Sequence, residues 1–218
     1  MQNRQLAILW DLDGTIIDSK ECHYHSWKTV FRKHGYPFSR DTYEENFGRN
    51  NQTALRNYLG FEPDSALAED ILEEKETIFR DRVVEEGQLV NGVREWLDAA
   101  KGYQIPQVIA SSAPMENITS VLEAFNLQSY YKMLVSGAAL PAKPEPDVFL
   151  KASREVGYPP ERCLVIEDSI PGVHAAKNAK MVCIAVATSG NAHALTAADL
   201  VIEDFSFSFE RALSTVIG

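Results

Sequence analysis

Two aspartates stand one residue apart in the stretch LAILWDLDGT, Leu6 to Thr15, directly after an apolar run. On an extended chain alternate side chains point the same way, so Asp11 and Asp13 share a side while Leu12 takes the other. Two carboxylates about 4 Å apart repel by roughly 4 kcal/mol at an effective dielectric of 20. A proton, a lysine or a divalent cation must lie near them. Three further stretches place polar groups after apolar runs: Ser111 and Ser112 in VIASSAP, Lys143 in LPAKPEPDVF, and a second acidic pair, Glu167 and Asp168, in LVIEDSIPG.

Acids, hydroxyls and one lysine are the groups needed to move a phosphoryl group off a phosphate monoester with Mg²⁺. Four carboxylates and a dianionic phosphate cannot share a site with Lys143 as the sole cation. A Mg²⁺ ion and a proton on Asp13, helped by helix N-termini and the serine hydroxyls, bring the charge to a tolerable level. The aspartates then divide their roles. Asp11, held against the metal, stays ionised and can attack phosphorus. Asp13, further along the turn, can protonate the leaving alkoxide and later take a proton from water. Ser111 and Lys143 would hold the phosphoryl oxygens, with Ser112 the adjacent candidate.

The elements that must position these groups can be read from hydrophobic pattern. Strand-like runs occur at Leu6 to Leu12, Ile105 to Ala110, Met133 to Val135, Cys163 to Ile166, Met181 to Ala187 and Asp199 to Ile202. Their continuous apolarity predicts strands buried on both faces, as in a parallel sheet. Helical spacing alternates with them at Val93 to Ala100, Met115 to Phe125, Asp147 to Val156 and Pro171 to Ala179. The expected fold is α/β, a doubly wound parallel sheet with a Rossmann-like core and right-handed crossovers. Ligands of such sheets bind beyond the carboxyl ends of the strands, where all four polar stretches lie. Between Asp18 and Glu86 the rhythm breaks: Trp27, Val30, Phe31 and His34, then Leu67, Ile71, Ile78 and Phe79, recur at helical spacing. An all-helical insertion is expected over residues 18–85, with the core formed by 1–17 and 86–218.

Bulk composition narrows the partners. A chain of 218 residues that is 45% hydrophobic can bury a real core. Its net charge of −10 argues against nucleic acid or an anionic membrane as partner. A small ligand suits it better, and a monomer is expected. Cys22, Cys163 and Cys183 form no C-x-x-C pair and read as core thiols in a reducing compartment. The N-terminus offers no signal-peptide cleavage site and no apolar run nears the ~18 residues of a spanning helix, so a cytoplasmic protein is expected. The acidic run from Glu69 to Glu76 reads as a solvated helix face. His25, His34, His174 and His193 show no metal-ligand spacing, and Trp10, Trp27 and Trp96 read as packing.

DLDGT, the serine-ended second strand, AKPEPDVF and IEDSIPGVHAAKNA together resemble the four ordered motifs of the haloacid dehalogenase-like superfamily. The helical insertion looks like that superfamily's subclass I cap. The resemblance implies a Mg²⁺-dependent phosphotransferase with an aspartyl-phosphate intermediate. It implies metal contacts from Asp11, the Asp13 carbonyl and Asp168, with Glu167 supporting directly or through water. Within the superfamily the chain is similar to the β-phosphoglucomutase-like group, which also contains sugar phosphatases. DSKECHYHSW resembles that group's segment after the first motif, and His23 falls where the group has a histidine near the acid/base aspartate.

Departures from that group bear on the substrate. The mutase cap carries a lysine before a glycine and an arginine three residues after it; here NFGRNN puts Phe47 before Gly48 and Asn51 in the arginine's place. Arg49 is a displaced substitute. Pro114 and Met115 replace polar residues that hold the mutase substrate's second phosphate. The expected reaction is hydrolysis of a small phosphorylated metabolite, a sugar or polyol phosphate, with a β-phosphoglucomutase-type phosphomutase as the rival. A receiver domain has an acidic cluster and a lysine but is shorter, and has no aspartate two residues past its acceptor. A dehalogenase would need neither Asp13 nor Mg²⁺. Lys180 stands where the family has glycine; in a left-handed conformation it would cost on the order of 1 kcal/mol.

Overall fold

A computed structural model of the chain describes residues 6–46, 49–188, 190 and 192–217. The chain divides into two compact units, Met1–Asp18 with Leu89–Gly218, and Ser19–Gln88. The first unit opens with strand β1 (Ala7–Trp10), every residue of which is buried, and the two-residue β2 (Ile17–Asp18). The second unit is helical: α1 (Lys20–Lys33), α2 (Arg40–Glu44), α3 (Asn51–Leu59) and α4 (Ser65–Glu86). The chain then makes β3 (Gln88–Leu89), which pairs with β2. The unit boundaries thus fall a few residues later than the hydrophobic pattern indicated, because α4 runs to Glu86 and a strand too short to show periodicity follows it.

The remainder alternates helix and strand: α5 (Val93–Gly102), β4 (Gln107–Ser111), α6 (Met115–Ala124), β5 (Met133–Ser136), α7 (Asp147–Val156), β6 (Cys163–Glu167), α8 (Ile170–Asn178), β7 (Val182–Val186), β8 (Leu200–Ile202) and α9 (Phe209–Ile217). The large sheet has the order β5-β4-β1-β6-β7-β8. All its pairings are parallel. From β1 the chain moves outward through β4 and β5, then returns to β1's other side to begin again at β6. That reversal is the switch point at which such sheets hold ligands.

Alternation along β1 sends its side chains to two cores. Ala7 and Leu9 join Val108, Val165 and Cys183 in a layer covered by Phe149 of α7 and Val173 of α8. Trp10 turns to the opposite face, 5.8 Å from the ring of Phe205, which in turn meets Trp96 of α5 at 5.0 Å. Trp96 also meets Phe209 of α9. Trp10 donates its indole N–H to Gln107 Oε1 at 3.1 Å, so the polar atom of this fully buried ring is satisfied. The three cysteines are buried and none is in a disulfide. No helix among the described residues is long and apolar enough to cross a membrane.

The helical unit has its own core, in which Trp27, Val30 and Phe31 of α1 pack with Tyr43, Leu55 and Ile71. Its helices are closed by side chains: Asn50 Oδ1 accepts from the Thr53 N–H and Asp64 Oδ1 from the Leu67 N–H, both at 2.8 Å. The acidic run of α4 is only partly a solvated face. Lys75 and Glu76 are buried, and Lys75 Nζ donates to Glu76 Oε1 at 2.8 Å. The apolar spacing around them was right, but two charged residues share the inward side because each neutralises the other.

Lys180 adopts φ +60 just past α8. A side chain there costs roughly 1–2 kcal/mol, against roughly 0.5–1 kcal/mol for the greater unfolded freedom of glycine. Lys180→Gly is therefore expected to raise the unfolding free energy by about 0.5–1 kcal/mol. A urea titration with unchanged slope measures it, and an unaltered or lowered midpoint would contradict this reading.

Candidate active site

Asp11 continues the β1–β6 ladder by one residue, its N–H donating to Ile166 O at 2.9 Å, and so stands at the carboxyl edge of the sheet. The chain then turns sharply: the Gly14 N–H donates to Ile17 O at 2.8 Å and the Ile16 N–H to Leu12 O at 2.9 Å. Asp13 lies half-buried on this turn. Gly14 has φ +84, and a Cβ there would fall 2.1 Å from Asp168 Oδ2. Only glycine allows the Asp168 carboxylate to lie directly on the turn. Asp168 Oδ1 accepts from Thr15 Oγ1 at 2.9 Å, which ties the β6 end to the β1 end.

Lys143 joins the two strands from the other direction. Its ammonium donates to Asp11 Oδ1 at 2.6 Å and to Glu167 Oε1 at 2.7 Å, and lies 4.8 Å from the ring centroid of Phe149. The cis Lys143–Pro144 peptide precedes a carbonyl, Pro144 O, that accepts from Asn178 Nδ2 at 2.9 Å. The other oxygen of Glu167, Oε2, accepts from the Asp168 and Ser169 N–H groups at 2.7 Å each and from Ser169 Oγ at 2.9 Å. A Cβ on Gly172 would fall 1.6 Å from Glu167 Oε1, so the first turn of α8 closes on this carboxylate. Both oxygens of Glu167 are thereby committed.

Ser111, the last residue of β4, is buried; its Oγ accepts from the Ala113 N–H at 3.1 Å and its carbonyl from the Gly137 N–H at 2.7 Å. Ser112 is half-buried beside it. β4 and β6 flank β1, so Ser111, Asp11, Asp13, Glu167 and Asp168 sit on three adjacent strand ends, with Lys143 bridging two of them.

Three buried carboxylates face one ammonium. Burial, reinforced by Glu167 and opposed by Lys143, pushes Asp11 from its ordinary 3.8 up to about 7. Burial, then repulsion from Glu167 and Asp11, holds Asp168 well above the usual carboxylate range. Burial pulls Lys143 down, but the paired Asp11 and Glu167 more than offset it and hold the ammonium above its ordinary value. The cluster favours taking up a further positive charge, whether as protons or as a cation.

The donors suit a hard cation. Oδ1 of Asp11 and of Asp168 are engaged, and neither second oxygen has a hydrogen-bond partner among the described residues. Among the described residues no three His, Cys, Asp or Glu side chains group as metal ligands. Carboxylate oxygens are donors that suit a hard cation such as Mg²⁺, Ca²⁺ or Mn²⁺ rather than zinc.

Residues 8–186 match the haloacid dehalogenase-like hydrolase family. The chain belongs to that family. It is 28% identical over 184 residues to a phosphorylated carbohydrates phosphatase of Thermotoga maritima, covering 79% of this chain and 81% of that protein. It is 28% identical over 208 residues to the β-phosphoglucomutase of Bacillus subtilis, covering 92% and 90%. A crystal structure of a family IA, variant 3 hydrolase from Entamoeba histolytica superposes with a TM-score of 0.87 at 27% identity, over 98% of this chain and all of that one.

In the helical unit of this haloacid dehalogenase-like hydrolase, His23 stacks on Phe79 with ring centroids 4.0 Å apart. His23 Nδ1 lies 3.2 Å from Lys75 Nζ. Lysine has only donors, so Nδ1 accepts and a neutral ring carries its proton on Nε2. Lys75 is buried between Trp27 and Phe79, 5.3 and 5.4 Å from their centroids, and also donates to Asn51 Oδ1 at 3.4 Å. Asn51 Nδ2 donates to Glu76 Oε1. Asn51, singled out in the sequence only for the arginine it replaces, therefore belongs to a buried polar cluster with His23, Lys75 and Glu76. Arg49 is exposed. Phe47 and Gly48 lie outside the described residues.

The sequence pattern singles out the acids, the serines and Lys143 but misses the hydroxyls that orient them. Thr15 and Ser169 each directly follow an acidic motif, and a hydroxyl at such a turn or N-cap position is a readable signal. Thr188 is not readable. Its Oγ1 donates to Gly14 O at 2.7 Å across 174 residues of sequence, pinning the turn that carries Asp13.

Proposed function

We propose that this chain is a Mg²⁺-dependent phosphatase that hydrolyses a small sugar or polyol phosphate through an aspartyl-phosphate on Asp11. The observation that carries the reading is the Lys143 ammonium between Asp11 and Glu167 at the switch point of the sheet. It supplies a fixed positive charge at the atom that would attack phosphorus. Mg²⁺ held by Asp11, Asp168 and the Asp13 carbonyl would supply the remaining charge that lets a dianionic ester approach a carboxylate.

Asp11 attacks phosphorus and the P–O bond to the alcohol breaks, with Asp13 giving its proton to the departing alkoxide. Asp13, now ionised, takes a proton from water as that water attacks the same phosphorus. The bond to Asp11 breaks, and inorganic phosphate and the original carboxylate are restored. Ser111 and Lys143 hold the non-bridging oxygens, with Ser112 adjacent. Glu167, with both oxygens committed, positions Lys143 and the start of α8 rather than ligating the metal directly. His23 and Arg49 are assigned to the substrate side, and the helical unit to a cap whose closure excludes water.

Hydrolysis is favoured over phosphoryl exchange because Pro114, Met115 and Asn51 remove the grips a bisphosphate needs. The carbohydrate phosphatase and the phosphomutase among its relatives are both compatible with this chemistry. The test is a panel of sugar, polyol and nucleotide phosphates assayed for free phosphate with Mg²⁺ and with a chelator. Phosphate release that is lost on chelation and restored by Mg²⁺ is expected. From β-glucose 1-phosphate with a trace of bisphosphate, free phosphate rather than the 6-phosphate is expected; the opposite product would make the chain a mutase. Unchanged release in chelator would contradict the metal's role.

A further inference from the structure

The end of β5, the outermost strand on one side of the sheet, is built around Ser111. β5 runs parallel to β4 with Ser136 in register with Ser111. The next residue, Gly137, donates its N–H to Ser111 O at 2.7 Å. A Cβ on Gly137 would fall 3.2 Å from that oxygen and 3.1 Å from Val148 Cγ2 of α7, so the close approach suits glycine. Ser136 reaches just past the Ser111–Ser112 pair: its Oγ donates to Ala113 O at 2.7 Å and accepts from the Ala138 N–H at 3.3 Å.

Ala113 is thus held at both of its backbone polar atoms by serines, its carbonyl by Ser136 and its N–H by Ser111 Oγ at 3.1 Å. The second of these bonds sets the way the Ser111 hydroxyl faces. A hydroxyl oxygen that accepts from one direction gives its own proton in another, so Ser111 offers a donor while Ala113 occupies a lone pair. Ser136 fixes Ala113, and Ala113 fixes the direction of the Ser111 hydroxyl. An alanine at 136 would take this donor from the Ala113 carbonyl and loosen residues 112–114 at the end of β4.

We infer that Ser136 is a positioning residue for phosphate binding: acting through Ala113, it aims the Ser111 hydroxyl at a non-bridging phosphoryl oxygen without itself touching the substrate. The inference rests on the phosphatase reading and on the place of Ser111 in it. Ser111 holds the phosphoryl group of the bound ester and of the product phosphate alike. Misaiming it weakens the binding of both and leaves the chemical step to Asp11 and Asp13.

The experiment measures steady-state phosphate release with Mg²⁺, on the best ester of the panel, together with the inhibition constant for inorganic phosphate. Ser136→Ala has no donor and Ser136→Cys, closer in shape to serine, a weak one. Both are expected to raise KM and the inhibition constant in parallel by about tenfold, with kcat within about twofold of wild type. Ser136→Thr keeps the hydroxyl and is expected to hold both constants within about twofold of wild type. In Ser111→Ala, which has no hydroxyl to aim, adding Ser136→Ala is expected to change neither constant further. A lower kcat with unchanged KM and unchanged phosphate inhibition is what a merely structural role would give, and it would overturn the inference. Unaltered constants in Ser136→Ala and Ser136→Cys, or the full effect persisting on top of Ser111→Ala, would overturn it too. If wild type releases phosphate from no ester, p-nitrophenyl phosphate included, it is the phosphatase reading that fails.

Discussion

Asp11→Asn is expected to abolish phosphate release, lowering kcat on the order of 10⁴-fold or more, because an amide oxygen cannot attack phosphorus and no neighbouring group can take its place. Substitution keeps the shape of the side chain and an acceptor for Lys143, so the fold survives. Stability should even improve when no Mg²⁺ is present. Burial raises Asp11 to about 7 in the folded chain against 3.8 ordinarily. An acid raised in this way contributes stability that is whole below pH 3.8 and is lost as the pH climbs through about 7. Asparagine does not titrate. Measured without metal, the stability of the variant minus that of wild type should therefore rise between about pH 4 and 7, by on the order of a few kcal/mol. Urea titrations across that range with a chelator present give the difference directly. A flat difference would mean that Asp11 is not held in a charge-poor site.

Lys143→Met carries the second large effect, and its sign with pH is related. Removing the ammonium leaves Asp11 and Glu167 buried without their shared partner, and breaking a buried pair from one side costs roughly 3–5 kcal/mol. Lysine lowers Asp11, so its loss raises Asp11 further. The variant should be closer to wild type near pH 4, where Asp11 is protonated, and fall increasingly below it as the pH passes 7. Catalysis should drop by roughly 10²–10³-fold, because a fixed charge on the phosphoryl oxygens is lost. Circular dichroism melts at several pH values, paired with phosphate release, separate the two losses. A variant equally stable at pH 5 and pH 8 relative to wild type would contradict the bridge between β1 and β6.

What could be read from sequence follows from which interactions are local. The central strands lie between two covered faces, so Ala7–Trp10 and Cys163–Glu167 leave unbroken apolar runs with acids at or just past their ends. Asp147–Val156 was visible to the residue, because its apolar stripe repeats cleanly against the sheet. β2 and β3 were invisible, since two residues carry no period. Lys75 and Glu76 hid inside an acidic run, where only the tertiary packing of Trp27 and Phe79 reveals an inward-facing charge pair. Glu167 stands out in the sequence as a candidate, but its contacts depend on which oxygen meets which donor. Three hydrogen bonds on Oε2 and Lys143 on Oε1 are facts of geometry that no spacing encodes.

The mechanism turns on whether phosphorus is ever bonded to Asp11. A single turnover with Mg²⁺ and a reactive ester, quenched and treated with borohydride, converts an aspartyl-phosphate to homoserine, which peptide mass spectrometry locates. Homoserine is expected at residue 11 and nowhere else, and it should vanish in Asp11→Asn and when Mg²⁺ is chelated. Full phosphate release with an unmodified Asp11 in every quenched sample would mean that water attacks the ester directly and that the first aspartate is not the nucleophile.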